Sequence, residues 1–166
     1  MIWIRKRRIR IKAVLLLASL LASGCVYVSD LCAANSDGIF NLNINYPGVG
    51  LRDFLSDSTA IELRGQAEKD IRVIGVRLYL FPGRFDRAGV VPYWGIEGDY
   101  SSFKGIYSKG NGYAAGGFAG LECFLGESLS LQTDAGAAYL SFKDADSDLT
   151  QGGMGFILNF GINIYF

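Results

Sequence analysis

The sequence predicts an all-β fold, an antiparallel up-and-down barrel with eight strands over residues 39–166, and three observations carry that expectation. From Ile39 onward apolar residues recur at every second position, the period of a strand rather than of a helix. The breaks between these runs carry Gly, Asp, Ser and Asn, the residues of tight turns. Half of all residues are apolar, yet beyond residue 28 no apolar run approaches the ~20 residues that a membrane-crossing helix needs.

The strands can be taken in chain order. Phe40, Leu42, Ile44 and Tyr46 share one face of the first, but after Pro47-Gly48 the apolar set becomes Val49, Leu51 and Leu55. Such a change of phase at a Pro-Gly pair reads as a tight turn, which gives eight strands, or as a bulge, which gives seven. Residues 60–66 set Ile61 and Leu63 against Glu62, Arg64 and Gln66, and residues 71–81 set Ile74, Val76, Leu78 and Leu80 against Gly75, Arg77 and Tyr79. In residues 93–103, Trp94, Ile96 and Tyr100 lie opposite Glu97, Asp99 and Ser101. Residues 112–125 are rich in Ala and Gly and alternate least clearly. Residues 129–142 oppose Leu129, Leu131, Thr133, Ala135, Ala137 and Tyr139 to Ser130, Gln132, Asp134 and Gly136. The last strand is the clearest, with Met154, Phe156, Leu158, Phe160, Ile162, Ile164 and Phe166 on one face.

Residues 1–34 read as an export signal, followed by a short tail over 35–38. The basic stretch Arg5–Lys12 precedes the apolar run Ala13–Ala22, the charged-then-apolar order of a signal peptide. Two cut sites compete. Cys32-Ala33-Ala34 offers small residues to an ordinary signal peptidase, whereas Leu21-Ala22-Ser23-Gly24-Cys25 resembles a lipobox, in which Cys25 would be lipidated. The neutral total charge conceals a basic leader and an acidic body: residues 35–166 hold 10 basic and 15 acidic groups. An acidic body without a basic cluster argues against nucleic acid as a partner. Cys123 reads as a small hydrophobe in a strand.

Alternation alone does not say whether the apolar face turns inward, as in a soluble barrel, or outward to lipid. The polar face decides. Lys69, Lys104, Lys109 and Lys143 fall at predicted turns or strand ends, and the strand-interior polar residues are chiefly Gly, Asn, Ser and Gln with scattered Arg and carboxylates. That composition suits a closed interior with lipid outside, in which no backbone group is left free. Bacterial single-chain barrels of this kind have even strand numbers, which favours the turn at Pro47-Gly48. The ending Phe160, Ile162, Ile164 and Phe166 looks like the C-terminal assembly signal of outer-membrane proteins. With the leader and the strand spacing, residues 39–166 resemble the small eight-stranded class that includes OmpX and the OmpA transmembrane domain. The resemblance implies location in the outer membrane of a diderm bacterium, insertion by the barrel-assembly machinery, and contact with outer-membrane lipid and lipopolysaccharide, as a monomer.

Eight charged residues are expected to face the lumen: Arg52, Glu62, Arg64, Arg77, Glu97, Asp99, Glu122 and Asp134. They read either as an ion-conducting path or as a packed electrostatic plug, and the narrow bore of an eight-stranded barrel favours the plug. The sequence has no His, so a Ser nucleophile would lack its usual base, and no catalytic residue, cofactor or metal site is expected. Asp144, Asp146 and Asp148 have the spacing of a calcium-loop start, but Leu149 and Gly155 stand where that loop needs Gly and Glu. The glycine-rich run 110–120 lacks the strand-turn-helix setting of a phosphate loop. Trp94, Tyr46, Tyr100, Tyr139 and Phe166 are candidates for interfacial girdles. The functional expectation is a non-enzymatic barrel serving envelope integrity or surface interaction. A narrow, porin-like channel for small or apolar solutes is the alternative, and a lipid-modifying enzyme comes third.

Overall fold

The computed structural model describes residues 40–166 apart from 46, 47, 84, 88, 105–108 and 146–149. The export signal, its two cut sites, Cys25, Tyr46 and the carboxylates Asp146 and Asp148 lie outside the described residues. Eight strands form one closed barrel: β1 (Phe40–Asn45), β2 (Gly48–Ser56), β3 (Thr59–Ala67), β4 (Ile71–Leu80), β5 (Val90–Lys104), β6 (Lys109–Phe124), β7 (Leu129–Asp144) and β8 (Thr150–Tyr165). Each pairs antiparallel with the next, and β1 closes on β8. Asn45 pairs with Gly48, so the phase change at Pro47-Gly48 is a turn and the count is eight.

The period-2 pattern sets which side chains face out. On β8 the outward Met154, Phe156, Leu158, Phe160, Ile162 and Phe166 are all exposed, while Asn159, Asn163 and Tyr165 are buried inside. The residues Phe160, Ile162, Ile164 and Phe166 thus form one continuous outer face at the C-terminus. Trp94, Tyr100, Tyr139 and Phe166 are exposed on the outer wall, joined by Tyr113, which packs on Tyr100. An apolar exterior around a polar interior inverts the arrangement of a water-soluble barrel.

The two ends differ. At the terminal end lie Phe40, Phe166, the β2–β3 turn and the long β4–β5 connection, residues 81–89. At the far end are the β1–β2, β3–β4, β5–β6 and β7–β8 connections. Sequence reasoning expects the longer loops at the far end, over Lys104–Gly112 and Asp144–Gly152. The strands instead continue to Lys104 and Asp144 and resume at Lys109 and Thr150, because strand pairing extends through the glycines: Gly110 pairs with Phe103 and Asp144, and Gly152 with Ser141. The 81–89 connection folds back into the barrel mouth. Its Phe81 and Phe85 are buried, Phe85 stacks within 4.4 Å of Phe54 by ring centroids, and Phe124 and Tyr165 complete the cluster.

Cys123 differs from its expected role as a solitary hydrophobe. It is disulfide-bonded, and no other cysteine lies among the described residues. Cys123 sits near the terminal end of β6.

Candidate functional site: the lumen

The alternation that sends apolar side chains outward sends all eight predicted charges inward. Five ion pairs organise seven of them. Arg52 on β2 pairs with Glu62 on β3 at 3.3 Å and with Glu122 on β6 at 3.0 Å. Arg77 on β4 pairs with Asp134 on β7 at 2.8 Å and meets Glu97 on β5 at 3.0 Å, the latter close enough for an ion pair but not aligned as a hydrogen bond. Arg64 reaches Glu97 at 3.6 Å. Asp99 has no ion pair among the described residues, and its Oδ1 is buried without a hydrogen-bond donor.

Buried ions are tolerated only when paired and hydrogen-bonded, and neutral side chains fill that need here. The Tyr79 hydroxyl donates to Glu62 at 2.8 Å and accepts from Arg77 at 3.0 Å. Asp134 accepts from Asn159 at 2.8 Å, from Gln132 at 3.1 Å and from Tyr93 at 3.1 Å. Glu122 accepts from Asn163 at 2.6 Å and from the hydroxyls of Ser130 and Tyr165. Two of the guanidiniums also cover an aromatic face: Arg52 lies 4.0 Å from the Tyr79 ring centroid and Arg77 lies 3.7 Å from that of Phe118. Sequence reasoning identifies the charges but not these Tyr, Asn and Gln partners. Their alternation with apolar residues is the signal that could have found them.

Glycines make the room. Phe118 lies flat against Gly95, where a Cβ would run into both the Phe118 ring and the Leu78 carbonyl oxygen. Glu62 leans over Gly50, where a Cβ would lie 2.6 Å from its Oε1. The glycine-rich run of β6 is therefore wall, as Gly116 and Gly120 also accept close approach from β7.

Arg52, Glu62, Arg77 and Glu122 are fully buried. The lumen between the aromatic mouth and the Arg64–Glu97 contact is packed with side chains. What this arrangement does chemically is cross-link strands: β2 to β3 and β6, β4 to β5 and β7, and β6 to β8. The acidic excess of two, five carboxylates against three guanidiniums, falls on Asp99 and on Glu62 and Glu122, which share Arg52.

No family model matches the chain, and no curated protein matches it either. Taken with the closed topology, the geometry defines an eight-stranded antiparallel barrel with an apolar exterior and an occluded polar core. A solved structure with that fold is the N-terminal β-barrel domain of Pseudomonas aeruginosa OprF. The two superpose with a TM-score of 0.50 at 17% identity, over 81% of this chain and 100% of that one. The likeness is one of fold, a small closed β-barrel.

Proposed function

We propose that this protein is a non-enzymatic outer-membrane barrel whose lumen is a structural plug and whose working surfaces are its wall and far rim, serving envelope integrity or surface contact. The observation that carries this reading is the cross-lumen charge network closed below by aromatic rings, which leaves no wide aqueous path between the two ends. The termini then lie in the periplasm and the far rim outside. All four described lysines, Lys69, Lys104, Lys109 and Lys143, stand at that far end, where phosphate groups of lipopolysaccharide would meet them. The outer β8 face from Met154 to Phe166 spans thirteen residues; twelve rises of ~3.3 Å at the tilt of such barrels cover about 28 Å along the membrane normal, close to the apolar band of an outer-membrane barrel.

The experiment is fractionation of expressing cells followed by electrophoresis of unheated and boiled samples. Recovery with the outer membrane and a mobility shift on boiling are the expected results. A protein released by osmotic shock and unshifted by heat would invert the facing of every strand and sink the proposal.

A further inference from the structure

The far half of the lumen is built unlike the plugged half, and its wall is unequal. Strands β5–β8 have 15 or 16 residues, whereas β1 has 6 and β2 and β3 have 9. β1 meets β8 only from Asn41–Tyr165 to Asn45–Gly161. Above that level β8 has β7 on one side and, among the described residues, no strand on the other. Across the gap, β3 also continues past its last pair with β2, Val49–Gly65. Among the described residues a notch therefore runs between β8 and β3, above the paired Asn45 and Gly48. The outer β8 side chains beside it, Met154, Phe156 and Leu158, are 72%, 97% and 66% exposed apolar groups, which sets the notch at the depth of lipid chains rather than in water.

Behind the notch is a cavity of about 610 Å³, within the size range of small-molecule sites. Its inward-facing walls break the rule of the plugged half: Val73, Phe103, Leu140, Phe142 and Ile157 point into the lumen, above a polar floor of Arg64, Glu97, Asp99 and Asn159. Around that floor two guanidiniums, Arg64 and Arg77, face three carboxylates, Glu97, Asp99 and Asp134, and Asp99 is the one that makes no contact within ion-pair distance among the described residues. A floor with one carboxylate in excess, under apolar walls, favours a positively charged donor.

We propose that the far half of the lumen binds a cationic amphiphile, a molecule with an apolar body and an ammonium head, which enters sideways from the lipid through the β8–β3 notch and sets its head on Asp99. The apolar body lies against Val73, Leu140 and Ile157, and the charge network below blocks passage onward, so the site holds its ligand and does not conduct it. The proposal goes beyond the envelope role above. Its test is made in detergent, so that failure here leaves the fractionation result untouched.

The test is native mass spectrometry of the folded barrel in a neutral maltoside detergent, with decyltrimethylammonium, decyl sulfate or decyl maltoside added at equal concentration. The expected result is a one-to-one adduct with the ammonium compound alone. Asp99→Asn, which keeps the shape, should weaken it by about tenfold or more, the worth of one charged hydrogen bond. Leu140→Trp, which crowds the apolar wall, should weaken it, and Glu127→Gln at the opposite end should leave it unchanged. Each variant is first checked for its heat-dependent mobility shift. Equal retention of the anionic or neutral amphiphile, undiminished binding by folded Asp99→Asn, or no adduct at all would each overturn the proposal.

Discussion

Arg77 joins β5 and β7 across the lumen, its Nη2 2.8 Å from Asp134 and its Nε 3.0 Å from Glu97. Strands on opposite sides of a barrel share no backbone hydrogen bonds, so a contact of this kind fixes the cross-section where the ladder cannot. Arg77→Met removes the charge and keeps much of the volume, leaving two buried carboxylates without their cation. The expected loss is about 3–5 kcal/mol, since breaking one side of a buried pair costs more than the pair contributed. It would be read as a lower urea midpoint for the folded band on an unheated gel. Replacing Arg77, Glu97 and Asp134 together by Met, Gln and Asn should recover part of that loss, because the two carboxylates that Arg77 paired are then neutral.

At Gly95 the inner wall has no space for a methyl group, because the Phe118 ring and the Leu78 carbonyl oxygen occupy it. Gly95→Ala should destabilise by about 1–3 kcal/mol, the usual cost of overpacking, and the double variant Gly95→Ala with Phe118→Leu should restore part of it. A double-mutant cycle on the same gel assay measures the coupling.

Phe85 is 1% exposed although it lies in a connection between strands. It is held at the barrel mouth by Phe54, Phe81 and Phe124. Phe85→Ala should cost about 3–5 kcal/mol and release residues 81–89 from the mouth. Limited proteolysis of the detergent-solubilised protein should then cut between β4 and β5, where the parent barrel resists.

The strand count, the facing of each strand and the eight lumen charges are legible in the sequence because a period of two leaves only two faces, and Arg52, Arg77 and Glu122 occur on the face that carries the polar residues. The partnerships among those charges are not legible. Whether Arg77 meets Asp134 or Glu62 depends on the stagger of the strands around the barrel, which no local pattern records. The 81–89 connection is misjudged for a related reason: its Pro, Gly and Asp residues mark a loop, but the burial of Phe85 follows from a hollow mouth that exists only once the barrel closes. The far cavity hides behind the same rule that reveals the fold. Val73, Leu140 and Ile157 fall on the inner face by parity, and their apolar character there reads as noise until the missing height of β1 and β2 gives it a place. Cys123 could not be read from its strand alone, since a bonding partner is set by the path of the chain.

The central claim, a barrel closed by its own charges and rings, is tested most directly by single-channel recording of the purified protein in planar bilayers. A sealed lumen predicts no steady conductance for the parent protein, and discrete openings only after Arg52, Glu62 and Phe85 are truncated together to Ala. Steady open steps from the unaltered protein, with the folded band confirmed on an unheated gel, would contradict the account and identify the lumen charges as the lining of a pore.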